Sequence, residues 1–191
     1  MARLIYGTNC SLDGYIEDAD GRFDFTEPDE EVHQYINDVF RPVGTHLYGR
    51  RLYETMMVWE TDPNLAASDS AAVRDFAEIW LAADKVVYSR TLQAATTGRT
   101  RIERDFVPSA VKELKRSAKA EMLIGGAEVA AHAFAAGLID EVDLFVAPII
   151  LGGGKRALPR DRRVELELLH EHRFTKGTVH LRYQVKQPSV P

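Results

Sequence analysis

The chain has 191 residues, 45% of them hydrophobic and 28% charged, a composition of the size and kind that builds a single globular α/β core. Its formal net charge of −5 comes without a long basic stripe, which argues against a nucleic-acid partner, and no apolar run reaches bilayer length, which argues against a membrane one. Cys10 is the single cysteine, so an internal disulfide is excluded, and the absence of a leader pattern makes the cytoplasm the expected location.

In chain order, short apolar runs alternate with helical patterns. Strands are expected at Leu4-Ile5-Tyr6, His46-Leu47-Tyr48, Val86-Val87-Tyr88, Met122-Leu123-Ile124 and 142–146. Continuous apolar runs of this length suit strands covered on both faces. Amphipathic helices are expected over 29–40, 50–59, 71–81, 109–118 and 127–136, with Gly137 as the stop of the last. The end of the chain alternates instead. Residues 164–168 and 178–186 read as two strands joined through Lys176-Gly177, an antiparallel hairpin closing a mostly parallel sheet. The expectation is one three-layer α/β domain over 1–187, with a short tail at 188–191.

The chemistry gathers at strand ends. Ile124-Gly125-Gly126-Ala127-Glu128-Val129 follows a strand and opens a helix. Unpaired N–H groups at a helix start favour a phosphate, and glycine lets it approach the backbone. A tight turn without ligand fits the same residues. Gly49-Arg50-Arg51 and Ser89-Arg90 lie at two further strand ends, where guanidinium forks and a hydroxyl match phosphate oxygens. In open α/β sheets ligands gather outside the carboxyl ends of the strands. Together these ends point to a dinucleotide. By contrast, Gly152-Gly153-Gly154-Lys155-Arg156 lacks the Ser/Thr of a Walker loop and reads as a strand-to-strand connection. The histidines show no metal-ligand spacing, so no metal is expected.

The chain resembles the dihydrofolate reductase-like family that includes the reductase domain of riboflavin biosynthesis, particularly its stand-alone bacterial members. The matching pieces are Ser11-Leu12-Asp13-Gly14-Tyr15-Ile16, Leu47-Tyr48-Gly49-Arg50-Arg51-Leu52-Tyr53-Glu54 and Val87-Tyr88-Ser89-Arg90-Thr91-Leu92. They continue with Ile124-Gly125-Gly126-Ala127-Glu128 and with Leu138-Ile139-Asp140-Glu141 through Pro148 to Gly152-Gly153-Gly154-Lys155. The resemblance implies a dihydrofolate reductase-like fold and an NADPH-dependent reductase of a small pteridine- or pyrimidine-type heterocycle. It implies pyrophosphate at Gly125, Gly126, Ala127, Glu128 and Val129, and nicotinamide near Thr8 and Ile16. Gly49, Arg50 and Arg51 would form the family's Gly-Arg helix start in the cofactor site, and Ser89 and Arg90 would lie near the adenosine ribose and its 2′-phosphate.

Hydride transfer also needs a proton for the substrate. The candidates are Asp13 and the cluster Asp29-Glu30-Glu31. An aromatic-x-x-Pro segment from Phe25 to Pro28 carries the family spacing to Glu30, whereas helical geometry puts Asp29 on the apolar face. Thr26 and Asp29 read equally as a capping box. Asp29, Tyr53 and Trp59 are candidate substrate contacts, and His33 a partly exposed helix residue. Two other readings stay open: a nucleotide-binding module of this fold without turnover, and C-terminal strands that pair with a second subunit as a homodimer.

Overall fold

The computed structural model describes residues 1–160 and 162–186; the tail expected at 188–191 lies outside the described residues. In chain order the elements begin with β1 (Leu4–Ser11), β2 (Tyr15–Glu17), a 3-10 turn (Asp24–Thr26), α1 (Glu30–Phe40) and β3 (Val43–Gly49). Next come α2 (Arg50–Met56), α3 (Val58–Thr61), α4 (Pro63–Ala66), α5 (Ala71–Ala82), β4 (Asp84–Tyr88) and β5 (Thr100–Glu103). The rest are α6 (Pro108–Ser117), β6 (Glu121–Gly125), α7 (Ala127–Ala135), β7 (Glu141–Ala147), β8 (Lys155–Arg156), β9 (Leu166–Arg173) and β10 (Val179–Val185).

An eight-stranded sheet runs in the order β5-β4-β3-β6-β1-β7-β10-β9. Pairing is parallel from β5 across to β7. It turns antiparallel where β10 meets β7 and where β9 meets β10. The mostly parallel sheet and its C-terminal hairpin are therefore as expected. Each face carries its own core. On one, Leu4, Tyr6, Leu47, Met122 and Ile124 pack under α7 and α6 through Ala130, Phe134 and Val111. On the other, Ile5, Leu123 and Phe145 pack under α1 through Val32, Ile36 and Phe40. Alternate residues of each central strand serve opposite cores, which is why the strands read as unbroken apolar runs.

Four details depart from the sequence reading. Residues 50–59 form not one helix but α2 and α3, separated at Met57. The edge strand β5 carries a single aliphatic residue, Ile102, and its alternate side chains are exposed, so it has no apolar run to betray it. The ribbon of β2 with β8 is too short to leave a pattern. β9 starts two residues beyond the expected 164 and runs on to Arg173, with most of its side chains exposed. The hairpin turn falls where expected, Gly177 taking φ +94° and donating its N–H to the Phe174 carbonyl at 3.1 Å. Behind it, His180 and Asp143 meet at 2.9 Å while the Tyr35 hydroxyl lies 3.2 Å from the other imidazole nitrogen, tying α1 to the hairpin.

Candidate functional site

The strands β4, β3, β6 and β1 are neighbours in the sheet, so their carboxyl ends form one edge. A cleft of about 1360 Å³ opens along it, bounded on one side by α1, α3 and α5. That volume exceeds the usual drug-sized pocket of roughly 300–1,000 Å³ and suits two ligands held side by side. From β1 and β2 the cleft receives Thr8 and Ile16; from β3 and the start of α2, Gly49, Arg50 and Arg51. Ser89 and Arg90 follow β4, and Gly125 to Val129 follow β6. All residues expected on the cofactor side share this one wall.

The glycine pair has two distinct reasons for being glycine. Gly126 is the N-cap of α7 at φ +90° and ψ 122°, a region that side chains disfavour by about 1–3 kcal/mol. Gly125 sits at ordinary φ, but a Cβ there would come 2.6 Å from the Leu52 side chain, so it lets α2 pack against the turn. No side chain among the described residues caps α7. The first-turn N–H groups thus face the cleft with the partial positive charge of the helix start.

The cationic groups differ in how free they are. Arg90 Nε donates to Asp105 at 2.8 Å, and Arg50 pairs with Glu54 at 3.3 Å. Arg51 is exposed and has no carboxylate partner among the described residues. Ser89 is buried, and its hydroxyl accepts from the N–H groups of Leu92 at 2.9 Å and Thr91 at 3.3 Å, which leaves its own proton to donate outward. Arg104, unremarked in the sequence, lines the same corner and donates to the Leu92 and Ser89 carbonyls. Lys155 and Glu128 pair across the mouth at 2.9 Å.

The substrate side needs correction. Asp13 does not line the cleft: its carboxylate accepts from Ser11 Oγ at 2.7 Å, Gly152 N at 2.7 Å and Leu151 N at 3.1 Å. Those donors, the Ser11 hydroxyl foremost, pull its pKa down to about 2. Asp29 is the N-cap of α1, accepting from Val32 N at 3.0 Å, and lines a smaller cavity of about 250 Å³ instead. Its partner is not Thr26, whose hydroxyl donates to Phe23 within the 3-10 turn. Glu30 turns away to accept from Ser70 Oγ at 2.7 Å, at the start of α5. Tyr53 is 1% exposed and spends its hydroxyl on Thr97 at 2.9 Å and Thr96 N at 3.1 Å. Trp59 does line the cleft, edge-on to Phe76 at 4.6 Å and to His33 at 5.9 Å. His33 is buried rather than half-exposed, and burial lowers its pKa.

The family model of the RibD C-terminal domain matches residues 2–180. The chain belongs to the RibD C-terminal domain family. Over 186 residues it is 27% identical to the uncharacterized protein YyaP of Bacillus subtilis, covering 95% of this chain and 94% of that one. A putative riboflavin biosynthesis protein from Shewanella sp. PV-4 shares the fold at TM-score 0.75 and 19% identity, over 98% of this chain and all of the other. A deaminase/5-amino-6-(5-phosphoribosylamino)uracil reductase from Thermotoga maritima superposes at TM-score 0.64 and 15% identity; 97% of this chain matches 57% of that longer one.

Within this RibD-type fold, several cleft residues had no sequence signal. Asn9 continues β1 beyond its apolar run and donates its amide to the Thr26 carbonyl at 3.1 Å, closing the cleft over the 3-10 turn. Glu27 follows that turn and lines both the cleft and the smaller cavity. The aromatic-x-x-Pro segment already pointed at this stretch, but the family spacing carried the reading past Glu27 to Glu30, and helical geometry to Asp29. His46 was legible only as part of an apolar strand, yet it lines the cleft from the sheet.

Proposed function

We propose that this protein is an NADPH-dependent reductase that delivers hydride to a small pyrimidine- or pteridine-type heterocycle. The observation that carries the reading is the convergence of three phosphate-compatible strand ends on one cleft, those of β4, β3 and β6, the last leading into the start of α7, uncapped by any side chain among the described residues. NADPH would supply the hydride. The first turn of α7 binds its pyrophosphate through backbone N–H groups, Gly126 letting the chain turn close beneath it. Arg51, Ser89 and Arg104 present donors where a 2′-phosphate adds negative charge, which favours NADPH over NADH. Thr8 and Ile16 flank the nicotinamide end. The uracil reductase activity named for the Thermotoga relative supports a uracil-like acceptor.

With Asp13 and Glu30 held elsewhere, Glu27 is the cleft carboxylate adjoining both cavities, and we assign it the proton delivery. A second copy pairing along β9, where Leu166, Leu168 and Leu169 are exposed, belongs to the same proposal; light scattering should give a dimer mass that Leu168→Asp halves. The deciding experiment is thermal unfolding with each nucleotide. NADPH should raise the melting temperature more than NADH, and absence of a shift with either would sink the reading. Binding without NADPH oxidation by any pyrimidine or pteridine would favour a module that keeps the fold without turnover.

A further inference from the structure

The sheet side of the cleft holds a polar side chain that the fold leaves without a partner. His46 is 2% exposed and lines the cleft, and neither ring nitrogen has a hydrogen-bond partner among the described residues. Its strand places it between Lys85 of β4 and Leu123 of β6. Tyr48 stacks beside it with ring centroids 5.5 Å apart. Lys85 does not satisfy it: that ammonium donates to the Trp80 carbonyl at 3.1 Å and lies 4.1 Å over the Trp80 ring. Phe40 and Trp80 also line the cleft, and the buried Trp80 indole Nε1 likewise has no hydrogen-bond partner among the described residues.

A buried polar group without a partner costs about 1–3 kcal/mol, and a leucine would fill this strand position without that cost. The arrangement makes sense if the partner arrives with the ligand. We propose that His46 is a specificity residue whose imidazole hydrogen-bonds the polar edge of an uncharged flat heterocycle seated between β3, α1 and α5. This rests on the reductase reading, since the recess is continuous with the wall at Gly49 and Gly125. Burial first, and the Lys85 charge second, push the His46 pKa down to about 3, so near neutral pH the ring offers one donor and one acceptor. A uracil-like edge, with alternating C=O and N–H groups, matches such a ring from either tautomer. The same Lys85 charge disfavours a protonated, cationic heterocycle at this point.

The test uses 5,6-diaminouracil as probe, with histidine rings carbon-13 labelled and the His46 signal assigned by its loss in His46→Leu. Titration of the wild-type protein should shift that signal saturably. His46→Leu should bind the probe at least tenfold more weakly, and His46→Gln, which keeps a donor and an acceptor, should recover part of the loss. The NADPH-induced rise in melting temperature should be the same in all three proteins. Equal probe affinity in wild type and His46→Leu, an unmoved His46 signal at saturation, or no saturable binding would each overturn the proposal. Should His46→Leu fail to fold, loss of the signal in His46→Gln assigns it instead, and the wild-type titration still decides. Loss of the NADPH effect in the wild type would strike the cofactor reading instead, independently of the probe.

Discussion

Asp13 and Glu27 show how the surroundings of a carboxylate set its task. Asp13 follows β1 and clasps the segment at Leu151 and Gly152 with donors that all favour its charged form. Its folded pKa, about 2, lies below the ordinary aspartate value of roughly 3.9. The sign follows from linkage: the clasp contributes its full stability above pH about 4 and loses it as pH falls through about 2. Asp13→Asn should therefore melt below the wild type at pH 6, and the two melting temperatures should converge as pH approaches 2; a constant gap would count against the clasp. Glu27 carries no such clasp and faces both cavities. If it hands over the proton, Glu27→Gln should lower kcat by about 10²-fold or more, while Asp13→Asn and Glu30→Gln should leave kcat within a few-fold. The two carboxylates named by sequence spacing were legible as acids near the site. Their hydrogen-bond partners, Gly152 and Ser70, come from distant parts of the chain, and no local pattern encodes them.

The starts of α7 and α1 illustrate what sequence states well about elements. At α7, Gly126→Ala should cost about 1–3 kcal/mol, because its φ of +90° lies where side chains are disfavoured, although a Cβ there would make only ordinary contacts with Leu52 and Val129. Chemical denaturation measures that loss, and the variant should also show a weaker NADPH-induced shift, since its first turn must tilt. At α1, Asp29→Ala removes the N-cap bond to Val32 and should cost about 1 kcal/mol, with NADPH binding unchanged. Gly126 announces itself because its role is local, whereas Asp29, expected in a capping box with Thr26, caps α1 without it. The central strands were equally plain, for Leu47, Val86 and Ile124 are each covered on a fully buried face. What escaped were elements whose existence depends on a neighbour: β5 forms because β4 offers an open edge, and β8 because β2 lies opposite. Gly154 marks that second pairing, since a Cβ at φ +124° would collide with the Glu17 carbonyl oxygen. Nothing in a run of three glycines distinguishes that contact from a loose loop.

At the scale of the molecule, the net charge of −5 and the cationic corner of the cleft pull in opposite directions on an anionic cofactor. The global field repels it weakly, and screening at about 0.15 M salt confines charge effects to roughly 8 Å. Local groups then decide the preference for a 2′-phosphate. Arg90 and Arg50 are already paired with Asp105 and Glu54, so their removal also frees a carboxylate and confuses the outcome. Arg51 is the cleaner probe, exposed at the cleft wall with no ion-pair partner among the described residues. At a concentration of 100 times Kd, a ligand stabilises the folded state by about 2.7 kcal/mol. Equal concentrations of NADPH and NADH should thus give unequal melting shifts whose difference reports the 2′-phosphate alone. Arg51→Ala should shrink that difference without changing the NADH shift. Raising the salt from 0.05 to about 0.5 M should shrink it in the wild type and leave Arg51→Ala little affected, because the exposed guanidinium is the screened group. A difference that survives both treatments would move the recognition of that phosphate to Ser89 and Arg104, which act through short-range hydrogen bonds from positions held by the Leu92 turn.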